Sequence, residues 1–390
     1  MKYFKKNNGI SLIKLILVIL FTILLVFLAY EIFYVDVFDL KNGKLTNTVD
    51  SFKNWTQNLI ENIQEENKEV EITDPNLNEN QEIVIPNIEG NDNQNIEQNI
   101  YTKHYYYRQL DEYAKIIYKG LESNQDNMKS GNYKIDFGKQ FNDLLNSEKG
   151  EEKLNIAFQS AWNAYTYDYP EIFYIDVTKL TLTTQTTSIG SFSTHKVDLS
   201  SGDNANYFSK DITSAEEAKK RIKYVSDIKT QFISQLENSS EYEKIKLVHD
   251  WLVDNLEYDT SYSFENTHNV YGAFSNKKVV CEAYARTFKY ILDGVGIENV
   301  LISGEATNSS GTTESHAWNY VKLDNKWYAV DVTWDDPVIE GSGKLTKKVK
   351  YMYFLKGADQ FFENHEEDGV LSKNSIEFKF PILEKENYQK

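Results

Sequence analysis

The sequence predicts an α+β protein, and two stretches carry that prediction. After Cys281, the residues Tyr284, Phe288, Ile291, Leu292 and Val295 recur at steps of three and four, which is one face of a helix, and Gly294 and Gly296 end it. Around His316 the period is two: His316, Trp318 and Tyr320 alternate with Ala317, Asn319 and Val321. Asp324 and Asn325 then read as a tight turn, and a second strand follows from Trp327 to Trp334.

The rest of the chain can be taken in order. Its 390 residues leave room for two or three domains. Net charge is −17, from 59 acidic against 42 basic residues, which argues against nucleic acid as a partner. A single cysteine means no internal disulfide framework. Leu15 to Tyr30 is apolar apart from Thr22, with Lys2, Lys5, Lys6 and Lys14 before it and Glu31, Asp36 and Asp39 after it. Residues 1–36 therefore read as a cytoplasmic N-terminus and one transmembrane helix, with the C-terminal bulk of the chain outside the cell membrane. A cleaved signal peptide fits less well, because its apolar region usually spans only ~7–15 residues. Residues 37–100 begin as a stalk, with Trp55, Leu59 and Ile63 spaced four apart. From Glu65 they become rich in Asn, Glu, Gln and Asp, a composition that buries too little apolar surface to order itself and reads as an acidic flexible linker.

Residues 101–205 read as a small, mostly helical unit. Tyr106, Leu110, Tyr113, Ile116, Ile117 and Leu121 mark one amphipathic helix, Leu154 to Tyr165 suggests another, and a Thr/Ser-rich run from Leu180 to Ser193 favours strand. Tyr105, Tyr106 and Tyr107 offer either a platform for sugar or peptide or a surface for helix packing, and packing is the favoured role. Residues 206–390 open with two helices, Glu216–Leu236 and Tyr242–Leu256. On the second, His249 shares a face with Ile245, Leu252 and Leu256, which points to a core or capping role. There is no Gly-rich phosphate loop and no paired-cysteine zinc spacing, so no cofactor and no metal is expected. Asp335 and Asp336 leave a weak calcium option, and His268 and His365 stand isolated, without a role.

Cys281 falls in the first turn of its helix. Unpaired N–H groups and the positive end of the helix dipole there favour a thiolate, the form that attacks a carbonyl, and could hold the oxyanion that results. If Asp324 and Asn325 form the turn, Leu323 faces Lys326, His316 faces Thr333 and Trp318 faces Asp331. Asp331 then lies one diagonal step from His316 on the same sheet face, with backbones roughly 7–8 Å apart. Its carboxylate can accept one ring N–H of His316 and leave the other nitrogen for a thiol. A lone cysteine is ordinarily a small buried hydrophobe, and a histidine among aromatics is ordinarily a core histidine. Together, the three residues make a nucleophile, base and orienting carboxylate the better reading, although nothing in the spacing brings Cys281 to His316.

Val-Val-Cys-Glu-Ala-Tyr-Ala at Cys281, His-Ala-Trp-Asn-Tyr-Val at His316 and Trp-Tyr-Ala-Val-Asp-Val-Thr-Trp-Asp-Asp-Pro from Trp327 resemble, in order, the three motifs of the bacterial transglutaminase-like superfamily. Val248-His249-Asp250-Trp251-Leu252 with Tyr258-Asp259 resembles its opening helix. Val270-Tyr271-Gly272-Ala273 resembles the segment before its cysteine, and Tyr353-Phe354-Leu355 its closing strand. The likeness covers Ile212 to the C-terminus and implies a papain-like core in residues 206–390, with the Cys281 helix packed on an antiparallel sheet that bears His316 and Asp331. It implies Cys281 as nucleophile, His316 as general base and acid, and Asp331 as orienting carboxylate. Ala283 departs from the glycine of many relatives, and its methyl is expected to crowd a substrate path beside the thiol. Asp168 to Tyr174 resembles the region ahead of the catalytic domain in surface-anchored members.

The implied function is a membrane-anchored thiol enzyme that acts through an acyl-enzyme on a carboxamide or peptide bond. Its partner is a protein or peptide substrate, cell-wall peptide included. Family members transamidate or hydrolyse, and some have lost activity, so a catalytically inactive binding or scaffold module stays an alternative. A pilin-like subunit is another, because Lys6 to Lys14 resembles a prepilin leader cleaved after Gly9; pilins carry Glu where this chain has Lys14.

Overall fold

The computed structural model describes residues 104–261, 266–336 and 347–390. These all belong to the second of the chain's two compact units, Glu89–Lys390. The expected membrane span from Leu15 to Tyr30, the Gly9 cleavage and the linker to residue 100 lie outside the described residues. Among the described residues, no helix is long and apolar enough to cross a membrane.

Helix α1 (Glu112–Ser123) starts where Asp111 accepts a hydrogen bond from the Ala114 amide at 2.8 Å. The sequence pattern had placed Tyr106 and Leu110 on this helix, but residues Tyr107–Gln109 form a separate 3-10 turn ahead of the cap. Strand β1 (Ile135–Gly138) and the long helix α2 (Gly150–Asp168) follow. The Thr/Ser run becomes β2 (Thr181–Ile189), which pairs with β3 (Phe192–Ser200) in a sheet of order β1-β3-β2.

Helix α3 (Ala215–Leu236) is capped by Ser214. Helix α4 (Glu241–Asn255) is closed by a capping box, in which Ser240 and Glu243 satisfy each other's backbone amides. Then come the short α5 (Val270–Ser275) and α6 (Cys281–Gly294). Four antiparallel strands complete the unit: β4 (Asn299–Thr307), β5 (Thr313–Leu323), β6 (Lys326–Val330) and β7 (His365–Glu367), in the order β6-β5-β4-β7. Helix α6 packs on β4 and β5, and Asn319 of β5 donates to the Ala285 carbonyl at 3.0 Å.

The hairpin register is the expected one, Leu323 opposite Lys326, because Asp324 and Asn325 adopt φ of 51° and 62°, the left-handed pair a two-residue turn needs. Two expectations fail. Strand β6 ends at Val330 rather than Trp334: the Asp331 side chain accepts from the Trp334 amide at 3.1 Å and its carbonyl from the Asp335 amide at 3.2 Å, which turns the chain. Tyr353 to Leu355 is not a strand. Next to it lies an isolated bridge between Ala329 and Lys356, and the outer strand is β7. That strand can approach because residue 304 is glycine; a Cβ there would strike the Glu366 carbonyl.

Residues 104–205 share a continuous core with the rest of the described residues. Tyr106, Ile117 and Tyr165 are buried in it with Phe288, Ile302 and Trp318. Burying one such aliphatic or aromatic side chain contributes ~1.5–3 kcal/mol. The Tyr106 hydroxyl donates to the Leu301 carbonyl, which ties the upstream residues to β4 and makes the tyrosine a packing element. Ala283 is also wholly buried in this core, so its methyl does not line an open path beside the thiol as expected.

Candidate active site

Cys281 is the first residue of α6, and Val280 at the N-cap offers no side chain to bond the first-turn amides. The entry is held by a two-residue parallel ladder between Glu257–Tyr258 and Lys278–Val279. Cys281 is half-buried against Ala285, Leu301 and Ala317, with Tyr167 of α2 packed on the same small cluster. Beside it, Glu282 accepts from Arg286 Nε at 2.8 Å and bonds His268 Nδ1 at 3.2 Å. Burial pushes Glu282 up, but Arg286 and His268 outweigh it and bring the carboxyl to about 2. With Trp162 and Phe173 from the upstream residues, Glu282 and Arg286 line a cleft of about 380 Å³ next to the thiol's helix.

His316, on β5, bonds Asp331 Oδ2 through Nε2 at 2.7 Å. Both side chains are buried. Burial alone would strip the proton from His316. The Asp331 charge and hydrogen bond, with a further bond and charge interaction from Cys281, push it up instead, to about 10. Asp331 is likewise raised by burial, but the charge and bond of His316 and those of His365 bring it well below the usual carboxylate range. The three residues singled out from sequence are thus together: Asp331 takes one ring nitrogen of His316, and the same imidazole interacts with Cys281.

The sequence reading gave no role to His365, and the structure corrects that. Its Nε2 lies 3.1 Å from the same Asp331 Oδ2. The surrounding sequence, Glu363-Asn364-His365-Glu366-Glu367, has no apolar periodicity that would have flagged it. His268, also left without a role, pairs with Glu282.

His249 is buried, as its helix face suggested, and bridges Asp250 at 3.1 Å and Asp335 at 3.0 Å. Asp335 also accepts from the Tyr353 amide at 2.8 Å, and Asp336 accepts from Tyr284 at 2.7 Å. Both carboxylates are therefore engaged within the protein. Burial pushes each of them up to about 6, against the lowering bonds from His249 and Tyr284.

His316, Asp331 and His365 are the one buried group, among the described residues, with donor atoms close enough together to hold a metal. Tetrahedral ligands at ~2.0–2.1 Å from an ion stand roughly 3.3 Å apart. The 2.7 Å separation of His316 and Asp331 is that of a charge-assisted hydrogen bond instead.

A helix-borne thiol beside a strand-borne histidine and its carboxylate is the arrangement of a thiol-enzyme family. Residues 228–332 match the model of the transglutaminase-like superfamily. Among curated relatives, the chain is similar to kyphoscoliosis peptidase of Mus musculus, 27% identical over 140 residues that are 33% of this chain and 21% of that protein. The Homo sapiens protein is 26% identical over the same length and shares. The chain thus spans about a fifth of these relatives' length, 21%. Similar solved structures include a TGase, 16% identical with a TM-score of 0.27, covering 46% of this chain and 50% of that one. Another is the periplasmic domain of TgpA from Pseudomonas aeruginosa bound to ethylmercury, 14% identical with a TM-score of 0.23, covering 41% of this chain and 66% of that one.

Proposed function

We propose that this protein is an acyl-transferring thiol enzyme with Cys281 as nucleophile, His316 as general acid and base, and Asp331 as orienting carboxylate. The observation that carries the reading is the His316 imidazole, bonded to buried Asp331 at 2.7 Å and interacting with Cys281 at an uncapped helix start. Asp331 takes Nε2, which leaves Nδ1 as the nitrogen for the thiol. His316 accepts the thiol proton, and the sulfur attacks the carbonyl carbon of a carboxamide or peptide. The imidazolium then returns that proton to the departing nitrogen, so ammonia or an amine leaves and a thioester remains. A primary amine attacking the thioester gives transamidation, and water gives hydrolysis; either loses a proton to His316 and regenerates the thiol. The amides at the start of α6 are the groups suited to hold the developing oxyanion.

The substrate class that suits this chemistry is a protein or peptide. The apolar run from Leu15 to Tyr30, flanked by lysines on its N-terminal side, favours single-pass anchoring with this domain outside the membrane, where envelope protein and cell-wall peptide are the accessible substrates. The experiment uses the full-length chain with a biotinylated primary amine and an extract of envelope proteins, beside Cys281→Ala. Biotin incorporation that requires Cys281 supports transamidation. New peptide N-termini that require Cys281 support hydrolysis. Neither product, with Cys281 inert to alkylation, leaves a binding module and ends the enzyme reading.

A further inference from the structure

Asp331 makes more bonds than orienting one imidazole requires. Its Oδ1 accepts the Trp334 amide at 3.1 Å, and its Oδ2 meets both His316 Nε2 at 2.7 Å and His365 Nε2 at 3.1 Å. A carboxylate oxygen only accepts, so each of these ring nitrogens carries the donated hydrogen.

His365 is itself held firmly. Its Nδ1 lies 2.8 Å from Asn364 Oδ1, and Asn364 donates in turn to the Tyr353 hydroxyl at 2.9 Å. Its ring stacks on Phe361 with centroids 4.0 Å apart and meets the edge of Trp318 at 5.1 Å. The strand that carries it is docked on β4, Ala306 opposite His365, over the space left by Gly304. A histidine that merely filled the core would need no such aim at the oxygen His316 uses.

We propose that His365 is a positioning residue of the thiol site: it pins the Asp331 Oδ2 that His316 also uses, so that His316 is held with its free nitrogen toward Cys281. This rests on the thiol-enzyme reading above. With His365 replaced by a residue that cannot donate, Asp331 loses a donor in a place water does not reach. The carboxylate then gains rotational freedom and holds a protonated His316 less well. The thiolate that depends on that imidazolium becomes scarcer at mildly acidic pH. Other titratable groups act on this site: Cys281 on His316, and Tyr353 and Asp335 with Asp331.

The experiment measures the rate of Cys281 alkylation by iodoacetamide against pH in the full-length chain, for wild type, His316→Ala, His365→Phe and His365→Gln. Phenylalanine keeps the stacking on Phe361 and removes the donor; glutamine restores a donor. Wild type is expected to hold a rate plateau into the acidic range, and His316→Ala to lose it. His365→Phe is expected to react about tenfold more slowly at pH 6, with its profile moved toward that of a free thiol near ~8.5. His365→Gln is expected to recover most of the rate. A His365→Phe profile that superimposes on wild type overturns the positioning role and leaves the enzyme reading intact. A wild type without an acidic plateau, equal to His316→Ala, removes the enzyme reading and this role with it. If His365→Phe fails to fold by circular dichroism, Asn364→Ala takes its place. It frees the Nδ1 side of His365, so a smaller shift in the same direction supports the role and an unmoved profile overturns it.

Discussion

The molecule buries two histidine–carboxylate clusters on one short loop, and they differ in what stands next to them. His316 and His365 share Asp331, and four residues along the chain His249 bridges Asp335 and Asp250. The three histidines, Asp331 and Asp335 are buried, and desolvation raises Asp331 and Asp335 alike. In the first the histidine partners win and Asp331 stays ionised. In the second they do not, and Asp335 rises to about 6. Only the first has a thiol beside it. The second is enclosed by Tyr351 and Phe354, with Lys246 on the far carboxylate of Asp250. A buried His–Asp bond is thus a way to satisfy polar groups, and it becomes a candidate for chemistry where a nucleophile at a helix start meets the same imidazole.

The sharpest way to break this contrast is to truncate each cluster. Cys281→Ala is expected to abolish turnover outright, read as loss of biotin-amine incorporation or of new N-termini. Asp331→Asn keeps the shape but not the charge, and is expected to lower the rate by ~10²–10⁴, read from initial velocities at saturating substrate. His249→Ala should do the opposite. It strands buried Asp335 and costs ~3–5 kcal/mol of stability by denaturant midpoint, while the folded fraction turns over within a few-fold of wild type.

The clusters should also separate with pH. Asp331 is held below its unfolded value, so its stabilisation is present above about pH 4 and is lost as pH falls. Asp335 is raised to about 6, so the folded state binds its proton more tightly and stability declines as pH rises from about 4 to about 6. In chemical denaturation, the gap between wild type and Asp331→Asn is expected to close on acidification, and that between wild type and Asp335→Asn to widen. The smallest effect lies at the start of α4, where Ser240→Ala removes the capping box and should cost ~1 kcal/mol in thermal unfolding with no change in rate.

The first cluster was largely legible in the sequence, and the second hardly at all. Local rules placed Cys281, since an apolar stripe from Tyr284 to Val295 fixes where its helix begins. They also fixed the hairpin register, because Asp324 and Asn325 accept the left-handed turn that sets Leu323 opposite Lys326. The strand end escaped them: Val332 and Trp334 continue the alternation on paper, but the Asp331 side chain bends the chain back to its own amides. His365 escaped for a different reason. Its partner is 34 residues away, its strand has three residues, and its docking depends on an absent Cβ at Gly304 in another strand. The His249–Asp335 bond, 86 residues long, gave its face on α4 but not its partner.

The central claim is that His316 activates Cys281, and one comparison tests it most directly. The full-length chain and its His316→Ala variant are each treated with iodoacetamide at pH 6, and modification of Cys281 is followed by mass spectrometry. Rapid labelling of wild type that falls to the rate of an ordinary thiol in the variant is the result predicted. Equal labelling of the two contradicts the account, and leaves Cys281 and His316 as neighbours without a shared proton.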